Sequence, residues 1–149
     1  MIVVDTIPIS ATIMKGMILD AVGHRLLVSL RDKSQIAVVD TITKHVTLWS
    51  PSGVHENVPL ALDRADHLVF VGSRHPGRLQ VLDSRDGRVL TSLPCTETSD
   101  SMSYDGKARL LYVSGDGGMS RYRVDLDRAD QHRRRFSTVS DYLRGTRSA

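Results

Sequence analysis

Residues 60–94, LALDRADHLVFVGSRHPGRLQVLDSRDGRVLTSLP, decide the fold. They contain four short apolar runs, at 60–63, 67–71, 80–83 and 89–93. Each run has strand length and ends in turn chemistry, with Asp86-Gly87 between the third and fourth. The last run closes on Pro94. Four strands of this length, joined by tight turns, form an antiparallel meander.

The same order recurs on either side. Pro8, Pro51 and Pro94 stand 43 residues apart, each closing a strand-like run, at residues 3–7, 46–50 and 89–93. Asp20, Asp63 and Asp105 follow those prolines at intervals of 12, 12 and 11 residues. Next come His24-Arg-Leu-Leu-Val28, His67-Leu-Val-Phe-Val71 and Arg109-Leu-Leu-Tyr-Val113. Third runs then end at Asp40, Asp83 and Asp125. Four strands in about 40–45 residues, repeated, are the period of a β-propeller blade, and no helix-length apolar face competes. The fold class is therefore all-β, a partial β-propeller of about 3.5 repeats of ~43 residues with four antiparallel strands per blade. Residues 1–149 read as one domain, with units at about 9–51, 52–94 and 95–138 and a partial unit at each end.

This pattern resembles the YVTN-type β-propeller repeat: Leu-Asp, His-Arg-Leu-Leu-Val, Ala-Val-Val-Asp, then a strand ending in Pro. The resemblance covers nearly the whole chain. It implies a bacterial or archaeal propeller of the periplasmic or secreted kind. Members of that group serve as binding or surface proteins and as enzyme domains. The chain departs from the type at Arg109, where the first two units have His, and at Ser29, Gly72 and Ser114.

Composition adds exclusions. With 40% apolar and 25% charged residues, and no apolar stretch near the ~20 residues of a membrane helix, no membrane span is expected. The net charge of +3 comes largely from His132, Arg133, Arg134, Arg135, Arg144 and Arg147. An arginine run of this kind reads as a solvated face, so nucleic acid is not the expected partner. Cys95 is the single cysteine, which excludes an intramolecular disulfide and paired-cysteine zinc or redox motifs. The N-terminal residues show no export signal. Both ends fall inside a repeat, at residues 3–7 and 145–149, and open blade faces predict self-association or a longer natural polypeptide.

Asp20 and Asp63 precede His24 and His67 by four residues, a spacing that invites acid–base or metal chemistry. Repetition favours a structural role, since every blade needs its turn but catalysis needs one pair. Asp20, Asp63, Asp105, His24 and His67 are therefore read as turn residues. Asp125, Asp127 and Asp130 lack the glycine and terminal glutamate of a calcium loop, and Gly115-Asp-Gly-Gly118 lacks the lysine and helix of a phosphate loop. No metal and no cofactor is expected.

Non-repeated polar residues on the loops of one face are the better candidates, because packing does not require them. They are Arg31, His55, Glu56, Arg74, His75 and Asp100, with Asp32, Asn57, Thr96 and Glu97 nearby. The expected function is a non-catalytic propeller that contacts a protein, glycan or small ligand there. The alternative is part of an enzyme propeller, either a haem- or copper-dependent reductase type or a lactonase type.

Overall fold

The computed structural model describes residues 1–116, 118–125 and 136–139, the last as backbone. Twelve strands form three four-stranded antiparallel sheets, each a meander in chain order. Blade 1 comprises β1 (Met14–Asp20), β2 (Arg25–Leu30), β3 (Gln35–Asp40) and β4 (Val46–Trp49). Blade 2 comprises β5 (His55–Asp63), β6 (Leu68–His75), β7 (Gly77–Asp83) and β8 (Val89–Pro94). Blade 3 comprises β9 (Ser101–Asp105), β10 (Leu110–Gly115), β11 (Gly118–Val124) and β12 (Phe136–Val139). The chain is thus a partial β-propeller. Among the described residues no helix is long and apolar enough to cross a membrane.

Two apolar seams join the blades, because the two-residue period of a strand supplies one set of side chains to each neighbour. Between blades 1 and 2, Leu27, Ile36, Val38 and Trp49 meet Leu60, Val69, Val71 and Leu82. Between blades 2 and 3, Ala61, Leu68, Phe70, Leu79 and Val81 meet Leu111, Val113, Tyr122 and Val124. The innermost strands β1, β5 and β9 run beside one another.

Residues 3–7, expected as a strand, belong to no sheet, since the described chain places no partner strand beside them. The segment that follows has a different job. Ile9 and Ala11 pack on Val28, Leu30 and Ala37, covering part of the face of blade 1 turned away from blade 2. It is tied down at Asp32, which accepts the N–H groups of Thr12 and Ile13. The cover is partial: Met17, Leu19 and Leu48 on the same face remain 66%, 56% and 51% exposed. On blade 3 the face turned away from blade 2 mixes polar and apolar side chains, with Met119 53% exposed. Strand register sets Ser103, Met119 and Arg121 where blade 2 buries Ala61, Leu79 and Val81.

The unequal spacing of 12, 12 and 11 residues has a structural cause. In β1 the register shifts between Met14 and Met17, and in β5 between Asn57 and Leu60, each a bulge of one extra residue. In β9 the pairing with β10 is unbroken from Ser101 to Asp105. The third unit is one residue shorter because its innermost strand has no bulge.

Register also corrects the reading of Asp125. Asp40 lies opposite Arg25 and Asp83 opposite Leu68, but the residue opposite Leu110 is Arg123. The β10–β11 hairpin is two residues shorter than its counterparts, which carries Asp125 beyond the end of β11. A two-residue slip preserves the strand face, so Tyr122 and Val124 still point into the seam with blade 2. Asp127, Asp130, His132, Arg133, Arg134, Arg135, Arg144, Arg147 and residues 145–149 lie outside the described residues.

At the opposite end of each blade from the loops singled out above, the turn after the innermost strand repeats one device. The carboxylates of Asp20, Asp63 and Asp105 accept the N–H groups of Gly23, Asp66 and both Lys107 and Ala108. His24, His67 and Arg109 close these turns in the left-handed region, at φ 51°, 55° and 56°. This conformation, not imidazole chemistry, is what the position shares, and arginine fills it in the third blade.

Arginines from these turns cross the seams. Arg64 of blade 2 donates to Asp20 of blade 1 at 2.8 Å, and Arg109 of blade 3 donates to Asp66 of blade 2 at 2.7 Å. Asp20 is buried, which opposes its charge, but hydrogen bonds from Arg64, Arg25 and the Gly23 N–H outweigh that and hold its pKa at about 2. The folded value lies below the ordinary 3.8, so this stabilisation is present above that pH and is lost as pH falls through about 2. Each tenfold weakening of proton binding corresponds to about 1.4 kcal/mol, so the stabilisation amounts to about 2 kcal/mol. The stability difference between wild type and Asp20→Asn, from urea melts, is expected to be largest near pH 7 and to shrink between pH 4 and 2. A difference independent of pH would contradict this assignment.

Candidate functional site

The six candidate residues come together on one rim, drawn from all three blades. Arg31 opens the short 3-10 turn Arg31–Lys33 between β2 and β3. His55 and Glu56 begin β5, Arg74 and His75 end β6, and Asp100 directly precedes β9. His55 and His75 are cross-strand neighbours. The sequence pattern sets His55, Glu56 and Asn57 in a loop; the structure places them in the innermost strand of blade 2.

Two arginine–carboxylate pairs span the seams here. Arg31 of blade 1 grips Glu56 of blade 2 through both Nε, at 3.0 Å, and Nη2, at 2.5 Å. His75 Nδ1 approaches the same carboxylate oxygen at 3.7 Å. Arg74 of blade 2 pairs with Asp100 of blade 3 and donates through Nε to the Ser99 carbonyl. The hydrogen bonds from Arg31 keep the Glu56 carboxyl below the usual range, and the charges of Arg31, His75 and Arg74 act in the same direction. Glu56 therefore stays ionised at neutral pH as an acceptor.

The Glu56 backbone is strained. Its φ of 53° lies in the left-handed region, and it is the one described residue with a side chain that adopts this conformation inside a strand. For a residue bearing a Cβ this costs roughly 1–2 kcal/mol, and such strain concentrates where geometry serves a site. The Ser34 hydroxyl receives the Glu56 N–H at 3.3 Å and helps to hold the kink.

Beneath the rim lie residues that were not among the six candidates. Asn57, Ser29 and Ser99 are fully buried, and Gln80 is 2% exposed. Asn57 Oδ1 and Nδ2, Ser29 Oγ, Ser99 Oγ and Gln80 Oε1 have no hydrogen-bond partner among the described residues. Each such atom costs about 1–3 kcal/mol. Strand alternation turns Ser29, which follows Leu27 on β2, towards blade 2, and turns Asn57, cross-strand from Ser73, towards blade 1. The bulge that begins after Asn57 is enclosed by small residues. A Cβ on Gly16 would stand 2.2 Å from the Val58 carbonyl oxygen, and one on Gly72 would stand 2.6 Å from Pro59 and 2.9 Å from Ser99 Oγ.

Asp20, Asp63, Asp105, His24 and His67 lie away from this rim, at the turns that close the other end of each blade. Cys95 is half-buried, and burial pushes its thiol above the ordinary value, away from nucleophile chemistry. Among the described residues no three His, Cys, Asp or Glu side chains gather where they could hold a metal ion.

The sequence matches no family model and no curated protein. Solved structures are similar to it. One is a functionally unknown protein from Desulfotomaculum acetoxidans, with a TM-score of 0.66 at 9% identity over 85% of this chain and 40% of that one. Another is hydrazine synthase of Kuenenia stuttgartiensis, with a TM-score of 0.66 at 14% identity over 86% and 36%. A third is the β-propeller domain of Cps50 (Swd1) from Myceliophteria thermophila, with a TM-score of 0.64 at 17% identity over 77% and 40%. The chain spans about two fifths of the length of these structures. Likeness at this identity shows the fold alone, and that fold is the β-propeller.

Proposed function

We propose that this chain is a non-catalytic binding propeller whose rim takes a segment of another polypeptide bearing both acidic and basic side chains. One observation carries the reading: Arg31, Glu56, Arg74, His75 and Asp100, unrepeated between blades, meet along a single rim in two arginine–carboxylate pairs. Exposed pairs of this kind contribute only about 0–1 kcal/mol, so exchanging an internal partner for an incoming one costs little. An incoming carboxylate suits the planar fork of Arg31 or Arg74, and the carboxylates so released receive an incoming cation. A neutral glycan has no charge to exchange at such a rim. The repeat pattern supports a YVTN-type propeller, and with it a periplasmic or secreted setting.

The test is selection of random 12-residue peptides, displayed on phage, against the immobilised folded chain. Enriched peptides are expected to carry both charges and to bind Arg31→Ala and Glu56→Gln at least tenfold more weakly. No enrichment, or binding indifferent to both substitutions, would overturn the reading.

A further inference from the structure

We infer that the outward face of blade 1, together with residues 2–7, docks the same surface of a second copy of this chain about a two-fold axis.

Residues 3–7 precede β4 by one repeat of 43 residues, and their placement matches that equivalence. Lys44 and Gly87 close the same turn of successive blades: each donates its N–H to the aspartate that ends the third strand, Asp40 or Asp83, and each has positive φ, 64° and 76°. The ring of Trp49, at the end of β4, sits against Gly87 of the next blade. One repeat earlier, Asp5 pairs with Lys44. The segment thus lies against blade 1 much as β4 lies against blade 2, yet it belongs to no sheet. Ile2, Val3 and Val4 are 83%, 85% and 90% exposed. Beside them on blade 1 stand Met17, Leu19 and Leu48, also exposed. Contiguous apolar surface of this kind marks an interface.

The occupant must be apolar where it meets Met17 and Leu19. The outward face of blade 3 is a poor complement, because its register sets Arg121 and Arg123 on the central strand β11 and Asp105 opposite Leu110. Burying such charges costs several kcal/mol per ion. The blade 1 surface is its own complement, which is what a two-fold contact requires. The axis also runs the two copies of residues 2–7 antiparallel, so each supplies the hydrogen-bonding neighbour that the other lacks.

Size sets the strength. A four-stranded face of this length measures roughly 20 by 20 Å, or about 400 Å². Stable interfaces bury about 600–1,000 Å² per partner, at roughly 30–40 Å² per residue, so six further residues bring the contact to about 600 Å². The face alone falls short, and with residues 2–7 it reaches the lower bound. A weak, reversible dimer is expected, populated by mass action.

The experiment is sedimentation velocity of the full chain over a hundredfold range of concentration, on wild type, Leu19→Lys, Val4→Pro and Met119→Lys. Wild type is expected to rise from the 16.5 kDa of one chain to twice that mass and no further. Leu19→Lys, which sets like charges on both sides of the contact, and Val4→Pro, which removes a strand N–H, should each weaken the dimer at least tenfold. Met119→Lys, on the outward face of blade 3, should not. Val4 is exposed and lies outside every sheet, so the thermal melt of dilute Val4→Pro should match that of wild type, separating loss of contact from loss of fold. A monomer at every concentration would leave the patch to a different polypeptide and overturn the inference. So would assembly beyond two copies, a dimer indifferent to Leu19→Lys or Val4→Pro, or one lost in Met119→Lys.

Discussion

Phe70→Ala is expected to destabilise the chain by about 3–5 kcal/mol, the range for truncating a buried aromatic side chain. Phe70 is fully buried in the middle of β6, at the centre of the seam between blades 2 and 3. Its ring centroid lies 5.1 Å from that of Tyr104, tilted by 40°, a geometry that adds to the area it buries. Its counterpart Leu27 occupies the same place in the seam between blades 1 and 2. The loss therefore falls on the contact between blades. Urea denaturation of Phe70→Ala should show a lower midpoint, whereas Phe70→Leu, which keeps most of the apolar volume, should lose less than half as much. Equal losses in the two variants would show that the ring is not packed as described.

Gly87→Ala is expected to cost about 2–5 kcal/mol, for two reasons that a control separates. Gly87 has φ 76°, where an added Cβ costs roughly 1–2 kcal/mol. That Cβ would also stand 2.3 Å from Cδ2 of Trp49, a buried ring at the end of blade 1, and overpacking of this kind costs about 1–3 kcal/mol. Gly53 has nearly the same φ, 75°, but an added Cβ there meets nothing within 4 Å. Gly53→Ala should thus lose only the backbone part. The difference in Tm between the two variants measures how closely the β7–β8 turn sits on Trp49, and hence how tightly blade 2 seats against blade 1. Similar Tm values would contradict that contact.

The repeat was legible because each blade needs the same turn. Asp20, Asp63 and Asp105 cap backbone N–H groups, and any chain that builds four such strands repeatedly must meet that requirement each time. The rim was legible for the converse reason: Arg31, Glu56, Arg74, His75 and Asp100 break the repeat. Hairpin length was harder to read, because the two-residue deletion at the β10–β11 turn leaves the apolar alternation intact, and Asp125 then resembles Asp83 in sequence while Arg123 takes its place in space. The interval of 11 residues before Asp105 was the visible trace of the missing bulge, yet spacing alone does not tell which strand has lost the residue.

Burial of Asn57 left no such trace. In a string of His55, Glu56 and Asn57 every residue reads as a loop residue, and the bulge at 58–59 interrupts the period-two pattern that would reveal an inward-facing position. Ser29 and Ser99 look ordinary in sequence for a similar reason: serine suits both surface and core, and only the packing of Gly16, Gly72 and Pro59 around the bulge closes the space beside Ser99. The N-terminal segment shows the same limit. Residues 3–7 have strand composition, but a strand requires a hydrogen-bonding neighbour, and what the segment contributes instead is the apolar cover of part of blade 1 by Ile9 and Ala11.

The most direct test of the binding rim is the dissociation constant of one selected peptide, measured by titration calorimetry on wild type, Arg31→Ala, Arg74→Ala and Arg88→Ala. Arg88 precedes β8 at the β7–β8 turn, on the far side of the blades, and its pairing with Asp86 is exposed. The account predicts at least tenfold weaker binding for Arg31→Ala and Arg74→Ala and no change for Arg88→Ala. Equal affinities for all four proteins, or a loss confined to Arg88→Ala, would contradict it.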